Sequence, residues 1–290
     1  MKKEMEKKVQ KRKQNKKKIE KEIAKLTQDT TKKNVQTNMS ENVQKTIQRT
    51  IQKERTISYY NENAEAFCEG TRAADMSETR GRFLRYVQPG GLILDAGCGS
   101  GRDSKYFLEH GYRVVAMDAS EEICRLASEY LGQVVECRRF EGIAETEKYD
   151  GIWACASLLH VPYTELPEMI ARLVKALVDG GVLYASFKYG REENETVKQK
   201  EKIEKKKQTQ AEQIEKILKL EERESGGRYF TDLTEDGWKK VMAEAERYME
   251  EFRIKMVECF VTGDVRKGRE EEKWLNVVGR KVNKNEWQIK

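Results

Sequence analysis

Short apolar runs alternate with helically spaced apolar residues over most of this 290-residue chain. The runs predict strands at residues 92–95, 113–117, 134–138, 151–156, 182–187, 255–262 and 274–280. The helical spacing predicts helices at residues 60–70, 77–87, 101–110, 120–131, 164–178 and 234–250. Strands that alternate with helices indicate a parallel sheet covered on both faces, and residues 263–273 are too few for a crossover helix. The predicted fold class is therefore α/β, a doubly wound, mostly parallel seven-stranded sheet that ends in an antiparallel hairpin.

Two segments lack this pattern. Residues 1–55 contain no glycine, proline or aromatic residue, and residues 191–225 carry ten basic and ten acidic side chains. The first segment is predicted to be a basic polar tail, helical or disordered, and the second a charged helical insertion into a domain that spans residues 56–290. The isoleucine spacing permits coiled-coil pairing of the two segments, although neither sustains heptads over three or four repeats.

The basic excess of the chain lies in its tail. The formal net charge is +6, but residues 1–55 alone sum to +11, so the predicted domain is mildly acidic. A high isoelectric point is thus no sign that a catalytic face binds nucleic acid. Six cysteines without a C-x-x-C pair suggest neither a zinc site nor a disulfide framework, and no apolar run of about 20 residues suggests a membrane span. We expect a cytoplasmic enzyme without a metal, with reduced and mostly buried thiols.

The first predicted strand runs into a glycine loop, Leu92-Ile93-Leu94-Asp95-Ala96-Gly97-Cys98-Gly99-Ser100-Gly101. Glycines at alternate positions let a backbone approach a ligand closely. A dinucleotide fingerprint would place its third glycine at position 102, but Arg102 stands there. Asp118 ends the second predicted strand 21 residues after Gly97, where a carboxylate can accept both hydroxyls of a ribose.

This acid-x-Gly-x-Gly-x-Gly pattern resembles motif I of the class I S-adenosylmethionine-dependent methyltransferases. The resemblance implies a Rossmann-like fold and S-adenosyl-L-methionine as cofactor. Residues 99–104, 149–154 and 228–232 also resemble a bacterial group of small methyltransferases related to tellurite resistance, without fixing a substrate.

The resemblance places a cofactor site at the carboxyl ends of the first four strands. The candidate cofactor-binding residues are Tyr59, Asp95, Ala96, Gly97, Cys98, Gly99, Gly101, Asp118, Ala119, Phe140, Glu141, Ala154 and Cys155. Asp118 could instead cap the helix that starts at Ser120, and Phe140 and Glu141 could form a surface turn.

A second group of residues would surround the methyl acceptor. His160 is the candidate general base, with a hydrogen-bonded structural histidine as the alternative. The candidate substrate-binding residues are Tyr60, Lys188, Arg228 and Tyr229.

Three functions fit these residues. The leading hypothesis is methyl transfer from S-adenosylmethionine to a small molecule. The second is methylation of RNA or another macromolecule recruited by the basic tail, against which stand the acidic domain and the lack of aromatic residues in the tail. The third is a non-catalytic assembly or sensor module on a methyltransferase fold.

Overall fold

A computed structural model of the protein describes residues 41–190 and 222–284. The helices are α1 (Glu41–Glu62), α2 (Ala64–Arg72), α3 (Ser77–Leu84), α4 (Arg102–Glu109), α5 (Glu121–Leu131), α6 (Leu166–Ala176) and α7 (Glu235–Ala245). The strands are β1 (Leu92–Ala96), β2 (Arg113–Asp118), β3 (Glu136–Cys137), β4 (Tyr149–Ala154), β5 (Leu177–Lys188), β6 (Glu222–Ser225), β7 (Arg228–Thr231), β8 (Phe252–Gly263) and β9 (Lys273–Asn283). Short 3₁₀ turns lie at Phe140–Gly142, Leu158–His160 and Glu246–Tyr248.

Seven strands form one sheet in the order β3-β2-β1-β4-β5-β9-β8. The first five strands are parallel, whereas β9 runs antiparallel to both β5 and β8. The predicted fold class, a mostly parallel seven-stranded sheet with a terminal antiparallel hairpin, is confirmed.

Both faces of the sheet are covered, as a doubly wound architecture requires. Successive side chains of β4 point to opposite faces, so Ile152 joins one buried cluster and Trp153 another. The first cluster includes apolar residues of α6 and α7, and the second includes Phe83 of α3 and Phe107 of α4. The helices thereby bury both faces and leave the strand ends accessible.

Several element boundaries differ from the predicted ones. The helix predicted at 60–70 is interrupted at Asn63, which lies between α1 and α2. Strand β3 has only two residues, because Val134 at the start of the predicted run is 82% exposed. Strand β8 is longer than predicted, since its ladder with β9 extends from Phe252 to Gly263. Of the cysteines, three are buried, but Cys137 on β3 is exposed.

Strands β6 and β7 were not predicted. They form a separate antiparallel pair around Gly226 and Gly227, whose φ angles are +58° and +76°. Two adjacent residues with positive φ are typical of a tight hairpin turn. The predicted insertion therefore gives way to regular structure at Glu222, ahead of the expected boundary at 225.

Helix α1 begins within the segment predicted as a polar tail. The chain divides after residue 48, so residues 49–62 of this helix belong to the same unit as the sheet. Thr56 is only 5% exposed, and its hydroxyl accepts a hydrogen bond from the backbone N–H of Tyr229 at 3.1 Å. Contacts of this polar kind leave little trace in a hydrophobic pattern. The predictions for residues 1–40 and 191–221 lie outside the described residues.

Candidate active site

One cavity of about 1160 Å³ opens at the carboxyl ends of the parallel strands. Strand β1 pairs with β2 on one side and β4 on the other, so chain connections leave in opposite directions at this point. Open α/β sheets bind ligands at such a switch point. The cavity exceeds the usual size of a site for one small ligand, so it can hold a cofactor and a second molecule together.

The glycine loop between β1 and α4 lies against this cavity. Gly97 has φ +85°, and a Cβ there would lie 2.4 Å from Cβ of Ser157. Gly99 has φ +54°, and its Cβ would lie 3.1 Å from the Phe67 ring. Both the backbone conformation and the lack of space therefore require glycine at these positions.

Asp118 ties this loop to the end of β2. One carboxylate oxygen accepts the N–H of Gly99 at 3.1 Å, and the other accepts the N–H of Ser120 at 3.0 Å. Burial raises the pKa of Asp118, although these backbone donors oppose the shift. Ser120 Oγ, rather than Asp118, caps α5 by accepting from the N–H of Ile123 at 3.2 Å. Each carboxylate oxygen retains a lone pair, so Asp118 can still accept hydrogen bonds from a ribose.

Asp95 at the end of β1 is 2% exposed. Its carboxylate accepts a hydrogen bond from Ser104 Oγ at 2.6 Å, which joins β1 to α4. Burial, reinforced by the charge of Asp103, raises the pKa of Asp95 to about 7. Asp95 thus links the loop to α4 through a buried hydrogen bond, and it also lines the cavity.

His160 and Tyr60 form a hydrogen-bonded pair that also lines the cavity. His160 Nδ1 lies 2.7 Å from the carbonyl oxygen of Tyr229, and its Nε2 lies 2.9 Å from Tyr60 Oη. A carbonyl only accepts, so Nδ1 carries the hydrogen and neutral His160 accepts at Nε2. Burial raises the pKa of Tyr60, which keeps its phenol protonated. The pair therefore presents a histidine that can take a proton through Tyr60.

Ala156 directs the chain from β4 toward His160. It has φ +51°, a left-handed conformation that is uncommon for a residue other than glycine, and its N–H donates to Ser186 Oγ at 2.8 Å. Ser157 follows and donates to the Ala96 carbonyl oxygen at 2.6 Å. These contacts fix the turn that carries His160 relative to the glycine loop.

Most of the predicted site residues line this one cavity. They are Asp95, Gly97, Cys98, Gly99, Asp118, Ala119, Phe140, Glu141 and Cys155 among the cofactor candidates, and Tyr60, His160, Lys188 and Arg228 among the acceptor candidates. Glu141 is also bound by Lys53 of α1, whose Nζ lies 2.7 Å from it and 2.5 Å from Glu165. The structure thus brings both predicted groups together around a shared space.

Five predicted site residues do not line the cavity. Ala96 and Ala154 are fully buried in the core, because both side chains point into the sheet–helix interface. Gly101 caps α4 and faces Leu131. The central carbon of the Arg228 guanidinium lies 4.4 Å from the centroid of the Tyr59 ring. Tyr60, the next residue, lines the cavity instead of Tyr59. Tyr229 is 4% exposed and contributes through its backbone.

Other cavity residues were not predicted. Phe67 of α2 packs against Tyr60 of α1 with ring centroids 5.1 Å apart, across the break in the helix at Asn63. Lys53 lies in the predicted tail, so its local sequence carried no sign of this position. Asp264, Arg266 and Trp274 approach from the β8–β9 hairpin. Their distance along the chain hides this approach from a local pattern.

Two further observations concern metal binding and membrane-spanning helices. In residues 41–190 and 222–284, no group of three or more His, Cys, Asp or Glu side chains could hold a metal ion. None of the helices in this part of the chain is long and apolar enough to cross a membrane.

Comparisons with known sequences also indicate a methyltransferase. A family model described as a methyltransferase domain matches residues 93–181. Malonyl-[acyl-carrier protein] O-methyltransferase of Pectobacterium atrosepticum is 32% identical over 136 residues, which cover 43% of this chain and 53% of that protein. The chain thus spans about half the length of this curated relative.

Solved structures share the fold. One is 1,6-didemethyltoxoflavin-N1-methyltransferase of Burkholderia thailandensis with bound 1,6-didemethyltoxoflavin and S-adenosylhomocysteine, at TM-score 0.56, 17% identity and coverage of 86% of this chain and 93% of that one. Another is magnesium protoporphyrin IX methyltransferase of Synechocystis PCC 6803 with bound S-adenosylhomocysteine, at TM-score 0.53, 17% identity and coverage of 79% and 99%. The sheet order and the match of residues 93–181 to a methyltransferase domain agree with the resemblance of the glycine loop to motif I of the class I S-adenosylmethionine-dependent methyltransferases.

Proposed function

We propose that this protein transfers a methyl group from S-adenosylmethionine to a small-molecule acceptor. The observation that carries the proposal is that the glycine loop, Asp118 and the Tyr60–His160 pair line one cavity. A donor held at the loop and an acceptor held at Tyr60 would then share one volume. Holding two reactants in contact supplies much of the acceleration in such a transfer.

The residues present fit the cofactor. Gly97 and Gly99 line the cavity without a Cβ of their own, so the backbone of the loop can lie close to a ligand. Asp118 offers acceptors for the ribose hydroxyls, and the rings of Tyr60 and Phe67 can attract a sulfonium cation. When bound, the cofactor supplies an electrophilic methyl group on positively charged sulfur.

The chain's own residues then provide orientation and proton removal. An acceptor O–H or N–H that contacts Tyr60 Oη gives its proton to this oxygen as methyl transfer proceeds. Tyr60 passes its own proton to His160 Nε2, and the resulting imidazolium keeps its Nδ1 hydrogen on the Tyr229 carbonyl. The proton lost by the acceptor is thereby accounted for, and Tyr60 returns to its phenol form.

A small acceptor is supported by the character of the site and by the relatives. The Burkholderia enzyme of the same fold was solved with bound 1,6-didemethyltoxoflavin and S-adenosylhomocysteine. Apart from Lys53, the residues that line the cavity lie outside the basic tail, and residues 56–290 sum to a negative charge. Phosphate recognition would require the opposite charge.

Calorimetric titration of the full chain with S-adenosylhomocysteine tests the donor half. We expect saturable one-to-one binding, weakened at least about tenfold by Asp118→Ala, since each hydrogen bond to a charged group contributes about 1.5–3 kcal/mol. Arg269→Ala removes another cavity-lining side chain far from the loop in sequence and serves as the control. Absence of binding by the folded native chain would refute the proposal.

Transfer of labelled methyl groups tests the acceptor half. The full chain is incubated with methyl-labelled S-adenosylmethionine and separate small-molecule, RNA and protein fractions of a bacterial extract. We expect label in the small-molecule fraction, reduced about a hundredfold in Tyr60→Phe. Label confined to RNA or protein would overturn the small-molecule assignment and favour recruitment by the tail.

A further inference from the structure

Nine cationic side chains line the cavity, and eight of them have a carboxylate partner within 4 Å. The paired ones are Lys53, Arg82, Arg102, Arg138, Arg139, Lys188, Arg266 and Arg269. Arg228 alone forms no ion pair within residues 41–190 and 222–284. A cation at the wall of a cavity without a carboxylate partner stands ready for an anion from outside the chain.

Aromatic rings surround the Arg228 guanidinium. Its central carbon lies over the rings of Tyr59, Tyr60 and Phe230, at 4.4, 5.9 and 5.2 Å from their centroids. Rings stabilise a cation but accept no conventional hydrogen bond from its N–H groups. Arg228 Nε is buried and has no hydrogen-bond partner. Burial raises the pKa of Tyr60, and the neighbouring Arg228 charge opposes this shift. The ring contacts thus orient the guanidinium and leave donors for a ligand.

Arg228 also lies beside the proposed proton acceptor. It precedes Tyr229, whose carbonyl contacts His160 Nδ1, and its guanidinium lies 5.9 Å from the centroid of the Tyr60 ring, whose hydroxyl contacts the same histidine. A ligand group bound to Arg228 would therefore place the rest of that molecule next to Tyr60 Oη. The anion-binding group and the proton-accepting group are adjacent but distinct.

We propose that the methyl acceptor is a small carboxylate-bearing molecule and that Arg228 binds its carboxylate. The proposal rests on the proposed function for the identity of the second ligand, and it adds the chemical class of that ligand. Arginine matches a planar carboxylate with two parallel hydrogen bonds, which a lysine at the same place could not reproduce. The methylated atom is a separate hydroxyl or amine of the same molecule, held at Tyr60.

The test compares benzoate with benzamide, which share a ring and differ in charge. Binding of each probe to the full chain loaded with S-adenosylhomocysteine is measured by calorimetry or ligand-observed NMR at constant ionic strength. We expect benzoate to bind at least about tenfold more tightly than benzamide. In Arg228→Met this preference should disappear through loss of benzoate affinity, and Arg228→Lys should restore only part of it.

The matched control is Arg269→Met, which removes a cavity-lining arginine that already pairs with Glu272 at 3.6 Å. It should keep the native preference for benzoate. Equal affinity for the two probes, absence of binding by both, or equal losses in Arg228→Met and Arg269→Met would overturn the proposal. Titration with S-adenosylhomocysteine alone reports on the proposed function, so a failure of cofactor binding is distinguishable from a failure of carboxylate recognition. Unchanged melting temperature of Arg228→Met establishes that this variant is folded.

Discussion

Tyr60 Oη and His160 Nε2 lie 2.9 Å apart, and the Tyr229 carbonyl accepts from the opposite nitrogen of the same imidazole. The two contacts fix one neutral tautomer, because only Nδ1 can donate to the carbonyl.

We expect ¹⁵N NMR of the histidine rings at neutral pH to show His160 protonated at Nδ1 and bare at Nε2. The chain has only two histidines, so His110→Gln assigns the remaining ring without ambiguity. Tyr60→Phe should shift the Nε2 resonance downfield toward that of a nitrogen without a donor and leave Nδ1 nearly unchanged. The reverse tautomer in the native chain would contradict the proton path through Tyr60.

Gly97→Ala should impair both stability and cofactor binding. The added Cβ meets Ser157 Cβ at 2.4 Å on a backbone with φ +85°, so we expect a loss of about 2–4 kcal/mol in the free energy of unfolding. Gly111→Ala provides the matched control, since Gly111 has φ +82° with nothing within 4 Å of its Cβ. This control should lose only about 1 kcal/mol and keep full affinity for S-adenosylhomocysteine. Equal losses in the two variants would show that close packing at Gly97 is unimportant.

Asp95 gives the stability of the native chain a distinct pH dependence. Burial raises its pKa from about 3.9 in the unfolded chain to about 7, so the native state binds the proton more tightly. The contribution of Asp95 to the free energy of unfolding is most favourable below about pH 4. It falls as the pH rises toward 7 and is constant above that pH. The total change corresponds to about 4 kcal/mol at 1.36 kcal/mol for each pH unit.

Urea unfolding of the native chain and of Asp95→Asn between pH 4 and 8 measures this contribution. The variant keeps an oxygen to accept from Ser104 Oγ but carries no titrating carboxyl. The native chain should become less stable relative to Asp95→Asn as the pH rises. A difference that stays constant with pH would show that Asp95 is already ionised at low pH in the folded chain.

Lys53 links α1 to Glu141, a predicted cofactor-binding residue, and to Glu165. Burial alone would raise the pKa of Glu141, but the hydrogen bond and charge of Lys53 lower it overall. Lys53→Met leaves two carboxylates facing each other, so we expect faster amide hydrogen exchange in residues 49–62 and a loss of about 1 kcal/mol at pH 7. Since a lowered carboxyl pKa stabilises only above the unfolded value, the gap to the native chain should shrink below about pH 4.

Lys105→Met is the control for this variant, because Lys105 pairs with Glu109 of the same helix at 3.7 Å, and both side chains are exposed. It should leave exchange in residues 49–62 unchanged. Equal effects of both substitutions would mean that charge alone, and not the bridge to Glu141, accounts for the loss.

The donor half of the site could be predicted because its determinants are local. The run from Leu92 to Gly101 carries the strand, the turn and the glycine requirement within ten residues, and Asp118 follows at the end of the neighbouring strand. The family match covers this part of the chain, from residue 93 to 181.

The acceptor half was harder to predict, because side chains distant in sequence form it. Tyr60 and His160 were each identified as candidates, but their contact across 100 residues was not. Tyr59 was predicted to bind the cofactor, but Tyr60 and not Tyr59 lines the cavity. Adjacent helical residues point in different directions, and the sequence pattern did not show which of the two tyrosines points into the cavity. Lys53 makes only polar contacts, which produce no hydrophobic signal.

The placement of β9 between β5 and β8 also constrains how the protein is made. Residues 177–188 cannot obtain their second hydrogen-bonded neighbour until residues 273–283 have been synthesised. During that interval β5 is a bare sheet edge, a ready template for pairing with another nascent chain. We therefore expect ribosome-bound chains arrested before residue 273 to be prone to aggregation, although the strands that carry the glycine loop have already emerged.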